Sequence, residues 1–144
     1  MGGHDDVAVR NSLGLIFTKL EQFDNAEREY MNALNLDPDD LTIFLNLSEL
    51  YIISGDYSKS YEFAEEGYKS SDLKDKIVSK LLMIIGKILL KKNQDKTEFI
   101  EFLSENEGYE LSFEFETLKE ALKGSEHYNE IEELIEKVKK YSKK

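Results

Sequence analysis

Apolar residues fall three or four apart along nearly the whole chain, the spacing that lays them on one face of an α-helix. In the C-terminal third, Phe115, Leu118 and Leu122 mark one helix, Gly124 and Ser125 a turn, and Ile131, Ile135 and Val138 the next helix, with Tyr128 on the same core face. Upstream, residues 73–92 predict one long helix, Asn93, Gln94 and Asp95 a turn, and residues 96–106 a second helix. One stretch breaks the rule: YELSFEFE, residues 109–116, alternates apolar and polar positions with a period of two. It has no sister strand to pair with, so it predicts a linker running into a helix, a strand or a helix throughout being the alternatives.

The N-terminal half repeats itself. Arg10, Leu13, Gly14, Phe17, Phe23, Ala26, Tyr30, Ala33 and Pro38, each moved on by 34 positions, become Phe44, Leu47, Ser48, Tyr51, Tyr57, Ser60, Ala64, Gly67 and Asp72. Small positions stay small and aromatic ones mostly stay aromatic. Small residues let two helix axes approach where they cross, and aromatic rings fill the wider gaps beside the crossing. Gly14 and Ser48 are thus expected at crossings, with Ala26, Ser60, Ala33 and Gly67 facing them. Asp24 with Glu27 reads as a capping box, and Asp37 with Pro38 as a cap followed by proline at the first helical position. Gly55 and Asp56 read as the break inside the second hairpin. For a third copy the preferred register sets Gly86 at the crossing, with about four extra residues before it; the alternative sets Leu82 there.

This period and pattern resemble the tetratricopeptide repeat, a helix-turn-helix unit with the signature W-x₂-L-G-x₂-Y, A-x₃-F, A and P. The first copy matches at Leu13, Gly14, Phe17, Ala26, Tyr30, Ala33 and Pro38, with Arg10 replacing the tryptophan. The second keeps Leu47, Ser48, Tyr51, Gly55, Tyr57 and Ser60 and has no proline. The resemblance implies an all-α fold, a right-handed superhelical array of about four antiparallel hairpins over residues 7–40, 41–74, 75–108 and 112–144, the last two degenerate. It also implies a protein-protein interaction scaffold that binds a peptide or helical segment of a partner in a concave groove lined by the first helix of each hairpin. By helical phase the groove residues are Asn11, Leu15, Thr18 and Lys19, then Leu45, Asn46, Glu49, Ile52 and Ile53, then Lys80, Met83, Lys87 and Lys91. Leu15, Leu45 and Ile52 would be the apolar anchors, and the occupant an amphipathic segment with acidic groups. The basic clamp by which some family members hold acidic chaperone tails is incomplete here, since Asn11 and Leu15 stand where its lysine and asparagine belong.

Composition narrows the classes further. The 144 residues include one proline, eight glycines and no cysteine, and carry a net charge of −11. The absence of cysteine removes disulfides and thiol nucleophiles, and the acidity argues against nucleic acid and anionic membranes as partners. No run is long and apolar enough to span a membrane, and MGGHDDVAVR has neither the basic nor the apolar region of a leader, so a cytoplasmic protein is expected. Its opening resembles a myristoylation site except for Asp6, and residues 1–6 are read as a disordered start with MGGH a cloning scar. Gly2, Gly3 and His4 would bind copper or nickel only behind a freed amino terminus. No metal site is expected at His4 or His127, no cofactor is implied, and Glu65 with Glu66 or Glu132 with Glu133 are read as solvated helix faces. No Gly-rich phosphate loop occurs. A non-enzymatic binding module is therefore expected, with self-association or excision from a larger protein as alternatives.

Overall fold

The computed structural model describes residues 3–92 and 95–144, with side chains from Asp6 onward. The turn expected at Asn93 and Gln94 and the metal-binding arrangement at Gly2 and His4 lie outside the described residues. Within them run eight helices: α1 (Gly3–Lys19), α2 (Phe23–Leu36), α3 (Leu41–Ser54), α4 (Tyr57–Gly67), α5 (Leu73–Leu89), α6 (Thr97–Glu105), α7 (Glu116–Leu122) and α8 (Tyr128–Tyr141). The β pairing among the described residues is one isolated parallel bridge between Tyr109 and Ser142. None of these helices is long and apolar enough to cross a membrane.

The first two hairpins are held as the small residues predict. Ala26 and Ala33 are fully buried, and Gly14 lies under the Tyr30 ring. In the second hairpin the Ser48 hydroxyl donates to the Ser60 carbonyl oxygen at 2.8 Å, with the two hydroxyls 3.0 Å apart. Across Gly67, a side chain would run into Leu45 and Ser79, so α4 is clamped between α3 and α5. The turn inside each of the first three hairpins reverses through a left-handed residue: Glu21 (φ 61°), Gly55 (φ 96°) and Lys91 (φ 61°). The next amide then reaches back into the helix just ended, as Gln22 to Phe17 at 2.9 Å and Asp56 to Tyr51 at 2.8 Å.

Helix α3 is apolar on two faces because it sits between two cores. Ile43, Leu47, Leu50 and Tyr51 pack with Tyr30 and the alanines of α2. Leu45 and Ile52 face the other way, into a larger core built with α5, α6, α7 and α8. Phe115, Leu118, Leu122, Ile131, Ile135 and Val138 are all buried there, as their spacing predicts.

Several local expectations need correction. Helix α2 starts at Phe23 after Gln22, with no side-chain cap. Asp24 and Glu27 therefore form no capping box; Glu27 instead accepts from the Tyr51 hydroxyl at 2.5 Å. Pro38 lies in the α2–α3 turn rather than opening a helix, because Asp40 caps α3 by accepting from the Thr42 amide at 3.0 Å. Gly86 is not at a hairpin crossing. A Cβ placed on Gly86 would meet the Tyr57 backbone oxygen at an ordinary 3.6 Å. Helix α5 begins directly at Leu73, capped by Asp72, two residues earlier than α3 moved on by 34 positions. Fully buried Leu82 stands one 34-residue step after Ser48, and α6 packs against α8.

Candidate functional site

Helices α1, α3 and α5 are the first members of their hairpins, and α3 packs against both of the others. Residues 107–115, between α6 and α7, are non-helical and lead across this face to α7, which lies against α3. The segment is pinned at both ends. At its start the Gly108 amide donates to the Tyr141 carbonyl at 2.8 Å, the Lys143 amide donates to the Tyr109 carbonyl at 2.8 Å, and the Tyr109 hydroxyl donates to the Val138 carbonyl. At its end Phe115 is buried with Leu118, and the Phe113 ring lies 5.1 Å from the Phe115 ring. The Glu114 carboxylate accepts from the Thr117 amide and hydroxyl at 2.9 and 3.0 Å, which starts α7.

Between those anchors, Leu111, Ser112, Phe113 and Glu114 cover a cavity of about 280 Å³. Its other walls are Leu15 from α1, Thr42, Leu45, Asn46 and Glu49 from α3, and Lys74, Asp75 and Val78 from α5. An adjoining hollow beside α7 holds Thr18, Lys19 and Ile53 together with Glu114. The chain thus lays its own extended segment over the face that the helical phase nominates.

The nominated residues divide accordingly. Leu15, Leu45, Asn46 and Glu49 come together, with Thr18, Lys19 and Ile53 next to them. Asn11 is half-buried and its side-chain oxygen has no hydrogen-bond partner. Leu45 and Ile52 are not the open apolar anchors expected, since neighbouring helices bury both to within 2% exposure. Thr18 is buried and turned onto its own helix, donating to the Gly14 carbonyl at 2.8 Å. The α5 set is displaced: Lys80 lines a separate cavity with Phe99 and Phe102 of α6, Met83 is partly buried, Lys87 sits 4.5 Å from the Tyr61 ring centre, and Lys91 lies 3.7 Å from Glu126. Lys74, Asp75 and Val78 take their place. Neither register of the third copy nominates them.

Glu49 is the electrostatic centre of the site. It is 3% exposed, and its Oε2 has no hydrogen-bond partner. Burial pushes its carboxyl up to about 8; the nearby Glu114 carboxylate adds to the rise and the Lys19 ammonium partly offsets it. Burial, and then Glu49 itself, likewise push the Tyr30 phenol up. A carboxyl held neutral this way can donate one hydrogen bond or, on meeting a cation, release its proton. Of the two acidic pairs, Glu65 and Glu133 are exposed while Glu66 and Glu132 are half-buried, Glu132 accepting from the Tyr128 hydroxyl at 3.0 Å. Among the described residues no cluster of three or more His, Asp or Glu could hold a metal ion.

Residues 7–40 match the family profile described as tetratricopeptide repeat. The BBSome complex member BBS4 of Bos taurus is 32% identical over 66 residues, a stretch that is 46% of this chain and spans 12% of that protein's length. No solved structure matches.

Proposed function

We infer that this chain, which belongs to the tetratricopeptide-repeat family, works by binding rather than by catalysis, taking an extended segment of a partner protein on the face of α1, α3 and α5. Repeats of this family mediate protein-protein interaction, and the bovine relative is itself a member of a complex. The observation that carries the reading is the seat of residues 111–114 over Leu15, Asn46 and Glu49. A surface that already accepts an extended, alternating segment of this chain has the shape to accept one from a partner. The bound partner would replace those residues, and the preformed helices would lose little order in the exchange.

The test uses the chain opened by Leu111→Ser with Phe113→Ser, which strips the two half-buried side chains that hold the segment down. A labelled YELSFEFE peptide should bind this variant in fluorescence anisotropy and bind the intact chain more weakly. Absence of binding to the opened variant, with its helicity intact by circular dichroism, refutes the reading.

A second reading is self-association. Val9 and Ile16 on α1 and Leu20 just past its end are each more than half exposed and lie seven and four residues apart, a stripe on the outer side of the first hairpin. Light scattering over a concentration series, with Ile16→Glu alongside, separates it from the first: a monomer at every concentration removes it.

A further inference from the structure

The covering segment fits the groove poorly at one point. Leu111 and Phe113 pack on the core, yet Glu114 brings a carboxylate towards Glu49, which is buried, unpartnered at Oε2 and lines the same cavity. Neither of the two makes a hydrogen bond or ion pair to the other. The remaining charged groups there are Lys74 and Asp75 of α5, which offset one another, and Lys19 of α1, which faces Glu49 from the adjoining hollow. That hollow is otherwise acidic, with Glu21 from the α1–α2 turn and Glu116 and Glu120 from α7. Tyr30 of α2 also faces Glu49, as a neutral phenol.

We propose that the partner segment this groove selects carries a lysine or arginine side chain at the position now held by Glu114, directly after apolar residues equivalent to Leu111 and Phe113, and that Glu49 is the residue that reads it. A cation at that place would replace an unfavourable carboxylate with a charge-assisted hydrogen bond to buried Glu49, and burial of the acceptor strengthens such a bond. It would also draw Glu49 into its ionised form, so binding releases a proton near pH 7. The occupant is then basic where it meets Glu49, and not acidic as the helical phase alone suggests. The net charge of −11 favours its approach. This rests on the groove being the docking surface, and the chain's own segment is then a resident placeholder, well matched in its apolar residues and mismatched in charge.

The experiment titrates the opened full-length chain (Leu111→Ser with Phe113→Ser, and Phe113→Ser alone as the milder variant) with three labelled peptides: YELSFEFE, its copy carrying Glu114→Lys, and its copy carrying Glu110→Lys. The Glu114→Lys copy should bind roughly tenfold or more tightly than the parent. Calorimetry in two buffers of different ionisation enthalpy should report up to about one proton released on binding. Adding Glu49→Gln to the opened chain should remove both the preference and the proton release. Equal tightening by the Glu110→Lys copy, or a preference that survives Glu49→Gln, overturns the inference and leaves the groove reading standing. Failure of every peptide to bind either opened variant overturns the groove reading and this inference with it.

Discussion

The Tyr30 ring packs against Gly14: a Cβ placed on Gly14 would come within 2.4 Å of a ring carbon, and Tyr30 is 1% exposed with no room to retreat. That contact sets the distance between α1 and α2. Gly14→Ala in an exposed helix would be worth a gain of up to about 1 kcal/mol. Here overpacking dominates, and the expected result is a loss of about 1–3 kcal/mol. Gly124→Ala, whose new methyl meets nothing within 4 Å, is the control and should change the denaturation midpoint little. Equal midpoints for the two variants would show that the ring yields.

The turn after α1 offers a gain. Glu21 sits at φ 61°, the conformation that Gly55 occupies at the equivalent point of the next hairpin. An L side chain pays about 1 kcal/mol or more there, which glycine avoids. Glu21→Gly should raise the thermal midpoint, and Gly55→Ala should lower it, in a pair of melts under one condition.

Much of the fold is legible along the chain because its causes are local or periodic. The 34-residue echo of Gly14 in Ser48, and of Tyr30's alanine neighbours in Ser60 and Gly67, reports helix crossings directly. The caps were harder, because Asp24 and Asp37 have the right chemistry two and three residues from where the backbone turns; Gln22 and Asp40 hold those positions. The site was legible only in part. Phase along α1 and α3 nominates Leu15, Leu45, Asn46 and Glu49, but the covering of that face is a contact between residues about 65 positions apart, as Asn46 and Leu111. The alternation in YELSFEFE announces an extended segment, and nothing local says what it lies on. Glu49 looks like any solvated glutamate until that segment and the helices around it take its water away.

Glu49 makes stability depend on pH in a direction opposite to that of a paired carboxylate. Its folded value of about 8 lies above the ordinary 4.5. Between those two values the unfolded chain has lost the proton that the folded chain keeps, so rising pH favours unfolding by up to about 1.4 kcal/mol per pH unit. The contribution is whole below about 4.5, declines through neutrality and is exhausted above about 8. Glu49→Gln removes the titration. The difference in thermal midpoint between the variant and the parent should therefore swing in favour of the variant as pH rises from 5 to 8. Parallel midpoint curves would falsify the assignment of a buried, neutral Glu49.

The start of the covering segment is tied to α8 through Tyr109, whose hydroxyl donates to the Val138 carbonyl while its ring is buried; burial pushes the phenol up to about 12, so it keeps its proton throughout the neutral range. Tyr109→Phe keeps the ring and removes the donor, and one such bond is worth about 0.5–1.5 kcal/mol. The loss falls first on the segment's docking, since the bond ties the segment to the Val138 carbonyl of α8. Amide exchange by mass spectrometry should then quicken over residues 109–115 and the end of α8, with α2 and α4 unchanged. In the intact chain the same substitution should strengthen capture of the YELSFEFE peptide, because the segment leaves the groove more often. Faster exchange spread evenly over all the helices would mean instead that Tyr109 supports the whole array, and that the segment over Leu15 and Glu49 opens only when the protein unfolds.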